Sequence, residues 1–105
     1  MAQFTVYRNQ NPDTLGTYPL LLDVQSPLLA SLATRVVVPL CPATAMTGER
    51  IKTLMPIFGI MGQRYLMLTP QLAGISKRQL VEPVAELSAC RDEIIAALDW
   101  LLTGI

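Results

Sequence analysis

SACRDEIIAALDWLLTGI, residues 88–105, is the one stretch of this chain with a strong and uniform period. Ile94, Ile95, Leu98, Leu101 and Leu102 recur at the three-and-four spacing that gathers side chains on one side of a helix. Asp92 and Glu93 fall in the first turns, where the helix dipole favours negative charge, and Ser88 is placed to cap the opening amides. Gly104 suits a left-handed C-cap, and Ile105 then puts an apolar side chain and a terminal carboxylate on one residue. The chain ends one residue past this helix, so the expectation is a terminus built into the structure and serving as its working part. Ile94, Leu98 and Leu101 are expected to pack on a sheet. Ile95, Trp100 and Leu102 widen the stripe beyond what one sheet needs, so part of it is expected to face another chain.

Upstream the period changes from helical to extended. Gln3–Tyr7, QFTVY, alternates polar with aromatic or β-branched residues and predicts a half-buried strand with Phe4 and Val6 inward. Arg8–Gly16 gathers Asn9, Asn11, Pro12, Asp13 and Gly16 and is a loop or hairpin tip. Tyr18–Val24 is the returning strand, with Pro19 marking an edge or the strand's beginning. Gln25–Thr34 opens on Ser26-Pro27, a cap followed by an N1 proline, and is either a short helix or a turn that carries Leu28 and Leu29. Arg35–Cys41, RVVVPLC, is the densest β-branched run and the predicted central strand, with Pro39 as a bulge or exit.

Pro42–Thr53 is loop with at most one helical turn. Leu54–Ile60 and Gln63–Thr69 flank Met61-Gly62 as a tight hairpin, with Gly59 as a candidate bulge. Thr69–Ser76 is expected to turn, and Gln79–Val84 to extend once more before Leu87 leads into the helix. Five to seven short strands followed by one helix describe an α+β domain with a strongly curved antiparallel sheet.

Composition sets the class. The chain has 105 residues, the size of a single domain able to bury a modest core, and one unit spanning 1–105 is expected. Charged residues are 15% and apolar ones 51%, against norms of about 25% and about 45–50%. That deficit of charge predicts an obligate two-fold dimer. Mean hydropathy is positive, yet no apolar run reaches the length of a spanning helix, so no membrane partner is expected. MAQFTVYRNQ lacks the basic lead and apolar core of a signal peptide, which makes cytoplasmic residence the expectation. Cys41 and Cys90 have no CxxC spacing and are read as buried free thiols.

The chemistry of the chain argues against an enzyme. It has no histidine, which removes the usual general base, the commonest metal ligand and the Ser-His and Cys-His dyads. Asp92/Glu93 and Glu82/Glu86 are explained by helix-start electrostatics or solvation, and nothing is set opposite them to hold a metal. The glycines are scattered, so no phosphate cradle exists, and no cofactor is expected. Eight basic residues balance eight acidic ones. The uneven spread, Arg50, Lys52, Arg64, Lys77 and Arg78 in one segment and Glu82, Glu86, Asp92, Glu93 and Asp99 in the next, is read as a solvated face. Residues alone reach a compact, dimer-forming interaction protein whose apolar C-terminus is a candidate binding surface, and stop there.

Several short pieces in order carry the reading further: QFTVY at 3–7, DVQS at 23–26, RVVVPL at 35–40, ELS at 86–88 and the final Gly-Ile. In this order and spacing the chain resembles the CcdB family, the toxin component of ccd toxin-antitoxin systems that poison DNA gyrase. The resemblance implies an SH3-like barrel with a small hairpin wing and a C-terminal helix, acting as a homodimer without catalysis. It implies binding to the gyrase A subunit that traps the cleaved gyrase-DNA complex. It also implies a CcdA-type antitoxin whose disordered segment wraps and neutralises the dimer, with operator DNA bound only by the toxin-antitoxin complex. Carried over by position, the gyrase-facing set is Leu28, Leu29, Asp99, Leu102, Thr103, Gly104 and Ile105, and Gln3, Phe4, Tyr7 and Ser26 are further toxicity-linked positions.

The chain departs from the family pattern at two places. The pattern has a tryptophan before the terminal Gly-Ile and an asparagine one turn earlier, where this chain has Thr103 and Asp99. In that pattern the paired tryptophans hold a gyrase arginine, and threonine has no aromatic face to do so. Asp99 instead offers a charged partner to an arginine. Two alternatives follow: a degenerate or retargeted homologue that works with its antitoxin as an operon repressor, and a nucleic-acid-binding barrel using Arg50, Arg64, Lys77 and Arg78.

Overall fold

The β-branched run that begins at Arg35 is the axis of the sheet. The computed structural model describes residues 3–46 and 48–104. Its strands are β1 Thr5–Arg8, β2 Leu20–Asp23, β3 Thr34–Pro42, β4 Ile57–Ile60, β5 Gln63–Met67, β6 Ala73–Ser76 and β7 Pro83–Glu86, followed by α1, Arg91–Thr103. They form one antiparallel sheet in the order β4-β5-β3-β2-β1-β7, with β6 also paired to β3. The sheet curls into a half-barrel closed by a single C-terminal helix, an α+β fold of the SH3-like type, as expected. β4 and β5 make the tight hairpin, turning through Met61 and Gly62, whose φ values of 51° and 77° are those of a type I′ turn.

β3 can be long and central because it is buried on both faces. Val38 and Leu40 face a core shared with Phe4, Val6, Leu22, Met67, Ile94 and Ala97, so α1 lies on this side. The odd-numbered positions face the other way, where Val37 packs with Tyr7, Leu21 and Leu80. On that second face two charges are buried. Asp23 is 0% and Arg35 1% exposed, and they meet through three contacts: Arg35 Nε to Asp23 Oδ2 at 3.0 Å, and Nη2 to Oδ1 at 3.0 Å and to Oδ2 at 2.8 Å.

Several local expectations need correction. Pro39 neither bulges nor ends β3; it pairs with Leu21 in regular register. Its carbonyl accepts from Leu68 N, so its missing N–H points at the seam where β3 changes partner from β6 to β5 and no ladder bond is lost. Gly59 is not a bulge either, since Phe58, Gly59 and Ile60 oppose Tyr65, Arg64 and Gln63 without a shift. The second half of the expected Thr69–Ser76 turn is β6; only Thr69–Gln71 is a 3-10 turn. The last extended segment is displaced to Pro83–Glu86.

Ser88 does not cap the helix. It lies in a 3-10 turn, Ser88–Cys90, that precedes α1, and its hydroxyl donates to Glu86 Oε2 at 2.7 Å. Cys90 takes the N-cap position with no side-chain bond. Ile94 and Ala97 are the fully buried helix residues, Leu98 and Leu101 are half-buried, and Leu102 is exposed. Cys41 is buried and Cys90 half-buried, and both are free thiols as read from their spacing.

Removing one member of a buried ion pair strands the other charge. Arg35→Met should therefore destabilise the fold by about 3–5 kcal/mol in urea titration, and the double variant Arg35→Met with Asp23→Leu should recover most of the loss. A single-variant cost below about 1 kcal/mol would show that the pair does not hold the sheet.

Candidate functional site

The buried pair reaches the surface through its neighbours in sequence. Arg35 Nη2 also donates to the Gln25 carbonyl at 3.3 Å, and Asp23 Oδ1 accepts from Gln25 N at 3.1 Å. The Gln25 side chain then ties three backbone groups. Its Nε2 donates to the carbonyls of Leu29 and Thr34, each at 3.2 Å, and its Oε1 accepts from Val36 N at 2.9 Å. Ser26 caps the next turn through a bond from Leu28 N to its Oγ at 3.2 Å, with Pro27 at N1, so the Ser-Pro signal produces a single 3-10 turn, Pro27–Leu29. A short loop, unable to hold itself, is thus bolted to the sheet from both ends.

What the loop holds is apolar. Leu28 is 91% exposed, and Leu29 and Leu32 are each 47% exposed. Large aliphatic side chains fixed in water gain about 1.5–3 kcal/mol each on full burial, which makes a rigid leucine cluster a surface suited to a partner.

The end of α1 is the second apolar point. Leu102 is 75% exposed. Gly104, with φ of 74°, closes the helix in the left-handed conformation, its N–H bonded to the Trp100 carbonyl at 3.0 Å. Thr103 turns its hydroxyl back onto the Asp99 carbonyl at 2.7 Å, so that the hydroxyl is committed to the helix itself. Asp99 is exposed, and its carboxylate is in no ion pair among the described residues. Asp99, Leu102, Thr103 and Gly104 therefore share the last turns of one helix, whereas Leu28 and Leu29 sit on a separate loop. Ile105 lies outside the described residues.

Of the remaining site positions, Phe4 and Tyr7 are buried and Gln3 and Ser26 half-buried. Gln3 Nε2 donates to the Val24 carbonyl at 3.2 Å, and Phe4, 3% exposed, takes a φ of 71°. That conformation is costly for a bulky residue and is held by two bonds: Phe4 N to the Asp23 carbonyl at 2.6 Å and Leu87 N to the Phe4 carbonyl at 2.8 Å. Gln3, Phe4 and Ser26 thus converge on the strand end at 23–26, while Tyr7 packs on the opposite face with Leu21 and Val37. Sequence reasoning missed Asp23, Gln25 and Arg35 as the parts that position the leucines. The available signal was one acid after LLL and one base before VVV, two lone charges in apolar runs that need each other.

The basic residues do not assemble into a nucleic-acid surface. Arg50 is half-buried and spends Nη1 on the Met55 carbonyl at 2.8 Å. Arg64 lies just past the end of β3 and Lys77 just before its beginning, about 30 Å apart along the strand at ordinary strand rise. The Cys90 thiol is pushed up from its usual range by burial first, and then by the Glu93 and Glu86 carboxylates. It is a poor nucleophile at neutral pH.

The fold defines a small α+β protein of the SH3-like type. A family model described as CcdB protein matches residues 3–104, and the chain belongs to the CcdB family: toxins of toxin-antitoxin systems, of the gyrase-poison type, that do not themselves act as catalysts. No helix among the described residues is long and apolar enough to cross a membrane.

Gln25→Ala should free the leucine loop at a cost of about 1–3 kcal/mol, with faster amide exchange at Val36 and Leu29 while the far hairpin is unchanged. Uniform acceleration across the sheet would assign Gln25 to global stability instead. Glu93→Gln removes one of the charges that raise the Cys90 pKa, so alkylation of Cys90 at pH 7 should accelerate as the thiolate fraction grows. An unchanged rate would show that Glu93 has no part in setting its reactivity, leaving burial and Glu86.

Proposed function

We propose that this chain, as a single toxin domain over residues 1–105, forms a homodimer that binds the A subunit of DNA gyrase and traps the enzyme with its DNA cleaved. In the cytoplasm it is neutralised by a CcdA-type antitoxin, and it reaches operator DNA only within that complex. The observation that supports this reading best is the family match over 3–104, joined to an uncharged, exposed helix end at Leu102, Thr103 and Gly104. Leu28 and Leu29 supply the second contact point. Doubled across a two-fold axis, these patches suit a partner that is itself two-fold symmetric.

The proposed contributions differ by burial. Leu28, Leu29, Asp99, Leu102, Thr103, Gly104 and Ile105 make contact, while Gln3, Phe4, Tyr7 and Ser26 position the contact residues from within. Asp99, exposed and without an ion partner among the described residues, receives a basic side chain of gyrase.

One observation favours a second reading. Thr103 presents a methyl group and no ring, since its hydroxyl is bonded to Asp99 O. A site that relied on stacking an arginine has lost that means here, which favours a retargeted homologue acting with its antitoxin as a repressor.

The deciding assay is gyrase supercoiling with ATP, quenched with detergent and scored for linear plasmid. Linear DNA is expected, and a chain lacking Gly104 and Ile105 should give none while keeping its circular dichroism and thermal transition. A folded dimer of the full chain that yields no linear DNA would overturn gyrase poisoning in favour of the repressor reading.

A further inference from the structure

β6 is paired on one side only. Ala73–Ser76 runs against Val37–Thr34 of β3, and among the described residues nothing pairs with its other edge. The direction of its free groups follows from one bond. Lys77 N donates to the Ala33 carbonyl at 3.0 Å, which makes the pairs at 75 and 73 the hydrogen-bonded ones. The backbone groups of Gly74 and Ser76 therefore point away from β3. Among the described residues, no backbone partner is found for the Gly74 N–H, the Gly74 carbonyl or the Ser76 N–H.

The glycine itself has no internal explanation. Its φ is not positive, and a Cβ built on it would meet no atom within 4 Å. Glycine weakens a strand, and where neither φ nor internal packing demands it, it suits a place where a second backbone comes close. At the end of the edge stand Lys77 and Arg78, neither of them in an ion pair among the described residues.

We propose that the β6 edge is a docking site for an extended acidic segment of another protein, added as an antiparallel strand with its N-terminal carboxylates beside Lys77 and Arg78. Main-chain bonds to Gly74 and Ser76 supply affinity and the two cations supply polarity and choice of partner. A second copy of this chain fits the edge less well. Two β6 strands paired antiparallel about Ile75 would set Lys77 opposite Ala73 and Arg78 opposite Leu72, leaving both cations without a counter-charge. The proposal is independent of gyrase.

The test uses the intact protein and an acetylated synthetic peptide of two aspartates followed by alternating threonine and valine. Exchange of the Gly74 and Ser76 amides should slow by about tenfold when the peptide is at about ten times its Kd, while amides of β4 are unaffected. A peptide with lysines in place of the aspartates should bind at least about tenfold more weakly, and Lys77→Glu with Arg78→Glu should reverse that preference. Gly74→Pro removes an N–H that faces away from β3 and should keep the fold while losing the peptide. Should that variant not fold, the charge reversal decides alone. No slowing at Gly74 and Ser76, equal response to both peptides, or protection that already grows with protein concentration in the absence of peptide would each overturn the proposal; the last would give the edge to a second copy.

Discussion

The ion pair between Asp23 and Arg35 is the constraint that the remainder of this structure must satisfy. Two charges at 0% and 1% exposure survive only if each is matched in geometry and number of bonds. The bidentate contact meets most of that demand, and the Gln25 backbone supplies both its N–H and its carbonyl to the same pair. A slip of β2 against β3 by one residue would send one charge to the apolar core on the other face, so the pair also fixes the register of the two central strands. Buried pairs add little net stability compared with hydrophobic packing. Their value here is specification: they permit one alignment and forbid its neighbours.

From that alignment the surface follows. With Asp23 and Arg35 fixed, Gln25 has one place to put its amide, and its bonds to Leu29 and Thr34 close the loop that displays Leu28. The loop is then ordered before any partner arrives, and the entropic cost of presenting those leucines is met in folding rather than in binding. A chain with few charges and a high apolar share gains solubility poorly. It retains these exposed leucines in fixed positions, which is the pattern of a protein whose activity is contact.

Much of the architecture was legible because local signals agreed with the global fold. QFTVY, RVVVPLC, the Met61-Gly62 turn and the period of the last eighteen residues each pointed to the element that forms. Where the sequence misled, a tertiary neighbour decided. Gly74 and Pro70 made β6 look like a turn, and only the length of β3, which offers a second partner along its N-terminal half, turns AGIS into a strand. Pro39 signalled an exit because the missing donor is costly in most of a sheet; the gap between β6 and β5 that tolerates it cannot be seen in sequence. Ser88 was outbid as a cap by Glu86, two residues away. For the site, the resemblance supplied positions and the structure supplied their differing character. Leu28 and Leu102 stand in solvent, whereas Phe4 and Tyr7 are core residues that no period distinguishes from other packing.

Phe4 shows how the two apolar points are held in one frame. Its left-handed backbone turns the chain so that a single residue donates to the Asp23 carbonyl and accepts from Leu87 N. The first bond pins the strand end from which the leucine loop departs; the second pins the residue from which the chain enters the 3-10 turn and then α1. Conformational strain of about 1–3 kcal/mol is offset by those bonds and by the burial of the ring in the main core. The strand end before the loop and the entrance to the helix are therefore tied to one residue. A substitution at Phe4 would disturb both the leucine loop and the helix entrance without touching either, which is the physical ground for proposing a role in toxicity for a core residue.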